Sequence, residues 1–103
     1  MGKYELMYIL NAGLDEAARK AEIEKLHKIL TDNKATIRDV KEWGVKEFAS
    51  PIHDMNKGYY VVLKMTIDNP GLEEFKRLAR LDNQVIRFLI TVDKDLVHHL
   101  GGK

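Results

Sequence analysis

Few residues of this 103-residue chain belong to types that do covalent chemistry, and their spacing keeps them apart. Cysteine is absent, which removes disulfides, thiolate metal sites and a thiol nucleophile together, and fits a reducing compartment. The histidines are His27, His53, His98 and His99. None has metal-ligand spacing with carboxylates, and the adjacent pair near the C-terminus reads as solvated. The loop Asn11-Ala12-Gly13-Leu14 carries no cation that could cradle a phosphate in an acyl-phosphate-cleaving site. The chain is therefore expected to be no enzyme and to use no cofactor, metal or small-molecule substrate. What remains are lysines, arginines and aromatic rings, which bind rather than react: cations neutralise phosphates and rings stack on bases.

The balance of 17 Lys and Arg against 16 Asp and Glu, net +1, sets a limit on that idea. A stand-alone nucleic-acid binder usually carries a marked basic excess, so any RNA binding must be local or shared with another protein. No apolar run is long enough for a membrane span and the first residues lack the pattern of a signal peptide, so a cytoplasmic protein with no membrane partner is expected. Length and a 45% hydrophobic content imply one domain, residues 1–93, followed by a tail, 94–103, that ends Leu100-Gly101-Gly102-Lys103.

The elements that position these residues follow from periodicity. Lys3 to Leu10 alternates Tyr4, Leu6, Tyr8 and Leu10 with Lys3, Glu5, Met7 and Ile9, the period of a strand. From Asp15, a capping residue, to about Asn33 the apolar positions Ala18, Ala21, Ile23, Leu26, Ile29 and Leu30 take helical spacing. Between them Glu22, Glu24, Lys25 and Lys28 read as a solvated face. Ala35 to about Phe48 is extended, with a broken alternation that implies a bulge. After a turn-rich stretch, Ser50 to Gly58, the strand Tyr59-Val61-Leu63-Met65-Ile67 has one wholly apolar face. Asn69-Pro70 then marks a helix start, with Leu72, Phe75, Leu78 and Ala79 as its stripe. A last strand covers Val85 to Val92. The order β-α-β-β-α-β with one strongly apolar sheet face predicts an α+β, ferredoxin-like sandwich: a four-stranded antiparallel sheet, first and third strands central, two helices on one face.

Such a sheet leaves its other face without a covering layer. That face is expected to carry Met7, Ile9, Tyr60, Val62 and Leu89 among Lys3, Glu5, Lys64 and Arg87, a large apolar content for an open surface and a platform for a protein partner. Trp43 is expected to plug the side of the core or the hairpin base, because no basic cluster surrounds it.

Particular strings add to this. Tyr4-Glu5-Leu6-Met7-Tyr8-Ile9-Leu10, Trp43-Gly44-Val45-Lys46-Glu47-Phe48-Ala49-Ser50-Pro51-Ile52, Lys57-Gly58-Tyr59-Tyr60 and Val85-Ile86-Arg87-Phe88-Leu89 occur in an order and spacing that resembles the bacterial small-subunit ribosomal protein S six family, over about Lys3 to Asp93. The resemblance implies a ferredoxin-like fold, a place in the ribosome, binding to small-subunit ribosomal RNA and a heterodimer with ribosomal protein S eighteen. Carried across, it makes Lys46, Arg80 and Arg87 candidate contacts to RNA backbone, the partner supplying much of the positive field, and Lys3 is added to them as a further candidate.

Two alternatives stay open. Met7-Tyr8-Ile9-Leu10-Asn11 and Lys57-Gly58-Tyr59-Tyr60-Val61-Val62 loosely follow the strand signatures of an RNA recognition motif, which would stack bases on Tyr8 and Tyr59. Their parity, however, groups both rings with the core face. Ser50 and Asp54, which depart from the family pattern, also allow an engineered scaffold of the same fold that does not bind RNA.

Overall fold

Alternation of apolar and polar residues sets the central strands. In the computed structural model, which describes residues 2–52 and 54–92, β1 (Gly2–Asn11) lies between β3 (Met55–Ile67) and β4 (Val85–Val92), and β2 (Thr36–Ile52) flanks β3. The sheet order is β2-β3-β1-β4 and every pairing is antiparallel, as the periodicity predicts. The tail 94–103, with His98 and His99, and also His53, lies outside the described residues.

Helix α1 (Glu16–Asp32) starts where the Asp15 carboxylate accepts the Ala18 amide at 2.8 Å. It ends with the Ala35 amide bonded to the Leu30 carbonyl and the Lys34 amide to Thr31, with Lys34 at φ 69 in the left-handed position that usually takes glycine. Burial falls on Glu22, Ile23, Leu26 and Leu30, whereas Ala18 and Ala21 are exposed. Helix α2 (Asn69–Leu81) is capped one residue earlier than the sequence implies. The Asp68 carboxylate accepts the Gly71 amide at 3.0 Å, and Asn69 and Pro70 form the first turn.

Between helices and sheet, Leu6, Tyr8, Leu10, Leu26, Leu30, Leu63, Met65 and Phe75 form one core, with Phe88 edge-on to Phe75 at 6.0 Å between centroids. The hairpin of β2 and β3 is longer than the composition implies. Both strands continue through the turn-rich stretch to Ile52 and Met55, because ladder pairing satisfies that backbone whatever the local propensity. The expected irregularity of β2 is present as breaks in register between Ile37 and Asp39, Glu42 and Gly44, and Glu47 and Ile52.

Candidate partner and nucleic-acid interface

The register places Met7 opposite both Val62 and Leu89, and Ile9 opposite Tyr60 and Arg87, all on the face away from the helices. Met7, Val62 and Tyr60 are half-buried, and Leu89 is 54% exposed. Met7, Val62 and Leu89, with Glu5, Trp43 and Thr91, line an open depression of about 150 Å³. Ile9 differs: only 2% of it is exposed, so it is the floor of this face and offers little of itself to a partner. Gly58 shows how tightly that floor is packed, since a methyl group added there would collide with Ile9 Cγ2 and stand 2.9 Å from Phe48 Cζ.

Trp43 is not the plug that its surroundings in sequence imply. It falls in the break between Glu42 and Gly44, where Gly44 has φ 88, a conformation glycine adopts without penalty. The extra residue turns the indole onto the outer face, 52% exposed and stacked on Tyr60 at 6.4 Å and 12°. Phe48 meets the same tyrosine at 6.2 Å, and the Lys46 ammonium lies 5.1 Å from the Trp43 ring, a cation–π distance.

The four candidate RNA cations are all exposed but do not form one patch. Lys3 is level with Thr66 and Lys46 with Gly58, so roughly 26 Å of strand separates them. Arg87 lies at the same end of the outer face as Lys46, three strand spacings away, roughly 14 Å. Arg80 projects from α2 with its guanidinium 5.9 Å from the Phe88 ring. Only Arg80 and Arg87 are brought together, in a depression of about 370 Å³ at the β4 edge that Ala79, Val85, Ile86 and Phe88 complete.

Comparison with known proteins supplies the deciding observation. The family model described as Ribosomal protein S6 matches residues 3–92. The chain belongs to the ribosomal protein S6 family. The small ribosomal subunit protein bS6 of Exiguobacterium sibiricum is 40% identical over 94 residues, covering 91% of this chain and 99% of that protein. Its counterpart from Shouchella clausii is 44% identical with the same coverage. The crystal structure of 30S ribosomal protein S6 from Thermotoga maritima superposes with a TM-score of 0.87 at 27% identity, covering 98% of this chain and 95% of that one. Membership of the S6 family makes this a structural, non-enzymatic protein of the small ribosomal subunit, located in the bacterial cytoplasm on the ribosome.

The base-stacking alternative fails on geometry. Tyr8 is wholly buried and its hydroxyl bonds His27 Nε2 at 2.9 Å. Burial, reinforced by the Glu42 and Glu22 charges, pushes the Tyr8 hydroxyl far above its ordinary range, and burial pushes His27 down. Tyr59 donates to Glu42 Oε1 at 2.6 Å, and the Arg19 guanidinium sits 4.3 Å from its ring centroid on the helix side. Of the rings on the outer face, Tyr60 is legible in sequence from its parity, whereas the broken alternation before Gly58 implies a bulge without showing which residue it turns outward, so Trp43 and Phe48 are not.

Proposed function

We propose that this S6-family protein binds small-subunit ribosomal RNA as a heterodimer with ribosomal protein S eighteen. Its outer sheet face takes the partner and its scattered cations touch RNA backbone. The observation that carries the protein-partner half is the apolar surface of Trp43, Tyr60, Met7, Val62 and Leu89, which no element among the described residues covers. At roughly 25 cal/mol per Å² of apolar area, covering several such side chains gives a gross driving force of several kcal/mol. Aromatic anchors of this kind commonly dominate an interface. Met7, Tyr60, Val62 and Leu89 are assigned to the partner, with Ile9 beneath them as support.

On the RNA side Lys3, Lys46, Arg80 and Arg87 act as separate phosphate contacts, Arg80 and Arg87 as a pair at the β4 edge. Cations this far apart reach different phosphates, which suits a folded RNA better than a single strand. The net charge of +1 means that much of the positive field comes from the partner. Salt titration of RNA binding by the purified heterodimer tests the reading. Replacing Arg80 and Arg87 with Ala should make the slope of log affinity against log salt shallower by roughly 1 to 2. A chain that neither co-purifies with the partner nor raises RNA affinity when added to it would sink the proposal.

A further inference from the structure

Outside the interface, one polar cluster is built into the joint between the helices. Glu22 of α1 is only 9% exposed, and its Oε2 has no hydrogen-bond partner among the described residues. Across from it stands Asp82, the residue that ends α2, with a side chain 6% exposed. Asp82 Oδ2 is likewise buried without a hydrogen bond among the described residues, and each carboxyl lies in the other's electrostatic environment. Lys25 Nζ lies 3.2 Å from Asp82 Oδ2, and Asp82 Oδ1 accepts the Gln84 amide at 2.9 Å. Two ionised carboxylates offer each other only acceptors, and a buried acceptor without a donor is costly. A proton between them supplies the missing donor and removes the repulsion of like charges.

We propose that Glu22 and Asp82 hold a single proton between them, with the Lys25 ammonium across Asp82, as a proton-dependent fastener joining helix α1 to the α2–β4 turn. Among the described residues, the charged and titratable groups that face Glu22 are Asp82 from the turn, Lys25 from its own helix and the Tyr8 hydroxyl from β1. Burial, then the neighbouring Asp82 carboxyl and its charge, push Glu22 up to about 7, against a smaller downward pull from Lys25. Burial also works to raise Asp82, but the Glu22 carboxyl, the Gln84 amide and Lys25 outweigh it and hold Asp82 below its ordinary value. The pair therefore keeps its proton on Glu22.

The direction of the pH effect follows. Between the ordinary value of 4.5 and about 7 the folded chain holds a proton that the unfolded chain has released. The fastener is complete below that window and is lost as pH rises through it. Loosening is felt where the turn is anchored: the Val85 amide on the Asp82 carbonyl at 3.2 Å and the Asn11 amide on the Gln84 carbonyl at 3.0 Å.

Carboxyl-detected NMR titration of the full chain measures the Glu22 midpoint directly; it should lie near 7, and a midpoint in the ordinary glutamate range overturns the proposal. The unfolding equilibrium is read in parallel at about pH 5.5 and about pH 7.5. The difference between wild type and Glu22→Gln isolates the Glu22 proton from the histidines, of which His27 has the opposite sign. Wild type should lose on the order of tenfold more in folded-to-unfolded ratio than the variant over that range. Equal losses would contradict the fastener, and the NMR midpoint decides the matter even if the variant folds poorly.

Discussion

The two faces of the sheet are written by alternate residues of the same strands, yet they are used in different ways. On β1, Leu6, Tyr8 and Leu10 are sealed by both helices, whereas Met7, one residue along, is left half-open and opposite an exposed Leu89. Neither face is simply apolar or polar. The helix side also buries a tyrosine and a carboxyl pair and half-buries a histidine, and the open side contains a packed spot, Ile9 under Phe48 and Tyr60. Function separates from stability along this line. Residues that hold the fold point one way, and residues free to meet a neighbour point the other.

The sharpest way to break this contrast is a matched pair of truncations. Phe75→Ala removes a ring that is wholly buried and should destabilise the fold by about 3–5 kcal/mol in denaturant unfolding. Leu89→Ala on the open face should change stability by less than about 0.5 kcal/mol. Similar losses for the two would mean that the outer face is part of the core. Gly58→Ala sharpens the contrast by testing the one packed spot outside. The new methyl would crowd Ile9 and Phe48 and lies 3.3 Å from the Leu10 carbonyl, so a loss of roughly 2–3 kcal/mol is expected. A neutral outcome would mean that Phe48 swings away freely.

How much of this arrangement the sequence discloses depends on how strictly each segment keeps its period. β1 and β3 alternate cleanly, and β4 does so apart from one break in register opposite Ile9 and Leu10, so their faces, their central or edge positions and the antiparallel order follow from the residues. β2 does not. Its three register breaks reverse parity along the strand, and no propensity marks where they fall, so the outward turn of Trp43 and the extension of the hairpin to Ile52 emerge only with the ladder. Glu22 shows the same limit on a helix. Its neighbours on α1 make it look solvated, and the residue that decides its state, Asp82, is distant in sequence and arrives only when α2 packs. The start of α2 is misplaced for a smaller reason. Asp68 and Asn69 can both cap a helix, and the bond to the Gly71 amide selects the aspartate. Among the cations, sequence names four exposed candidates, but the adjacency of Arg80 and Arg87 depends on where α2 ends relative to β4.

Trp43 gives the next test, because it should divide the two effects. With half its surface in water and one stacked neighbour, Trp43→Ala should cost less than about 1 kcal/mol of stability. Binding to the partner protein, measured by calorimetry, should weaken by about 2 kcal/mol if the indole is an anchor of that interface. A stability loss as large as that of a core truncation would reassign Trp43 to the fold. Unchanged binding would move the partner elsewhere on the molecule.

The smallest expected effect concerns the polar pair on the sealed side. Tyr8→Phe keeps the ring and deletes the hydroxyl bonded to His27, leaving a half-buried ring nitrogen without its partner, so a loss of about 1 kcal/mol is expected near neutral pH. His27 also carries a pH signature. Burial depresses its folded value below the ordinary 6.5, with Glu42 pulling weakly the other way, so the unfolded chain takes up a proton first as the solution is acidified. Its contribution is therefore present above that ordinary value and is lost as pH falls toward the depressed one. A His27→Leu variant should show a flatter decline in stability on the acid side than wild type. An unchanged slope would mean that the imidazole is solvated when the chain is folded, and that the helix-covered face is wetter than its packing implies.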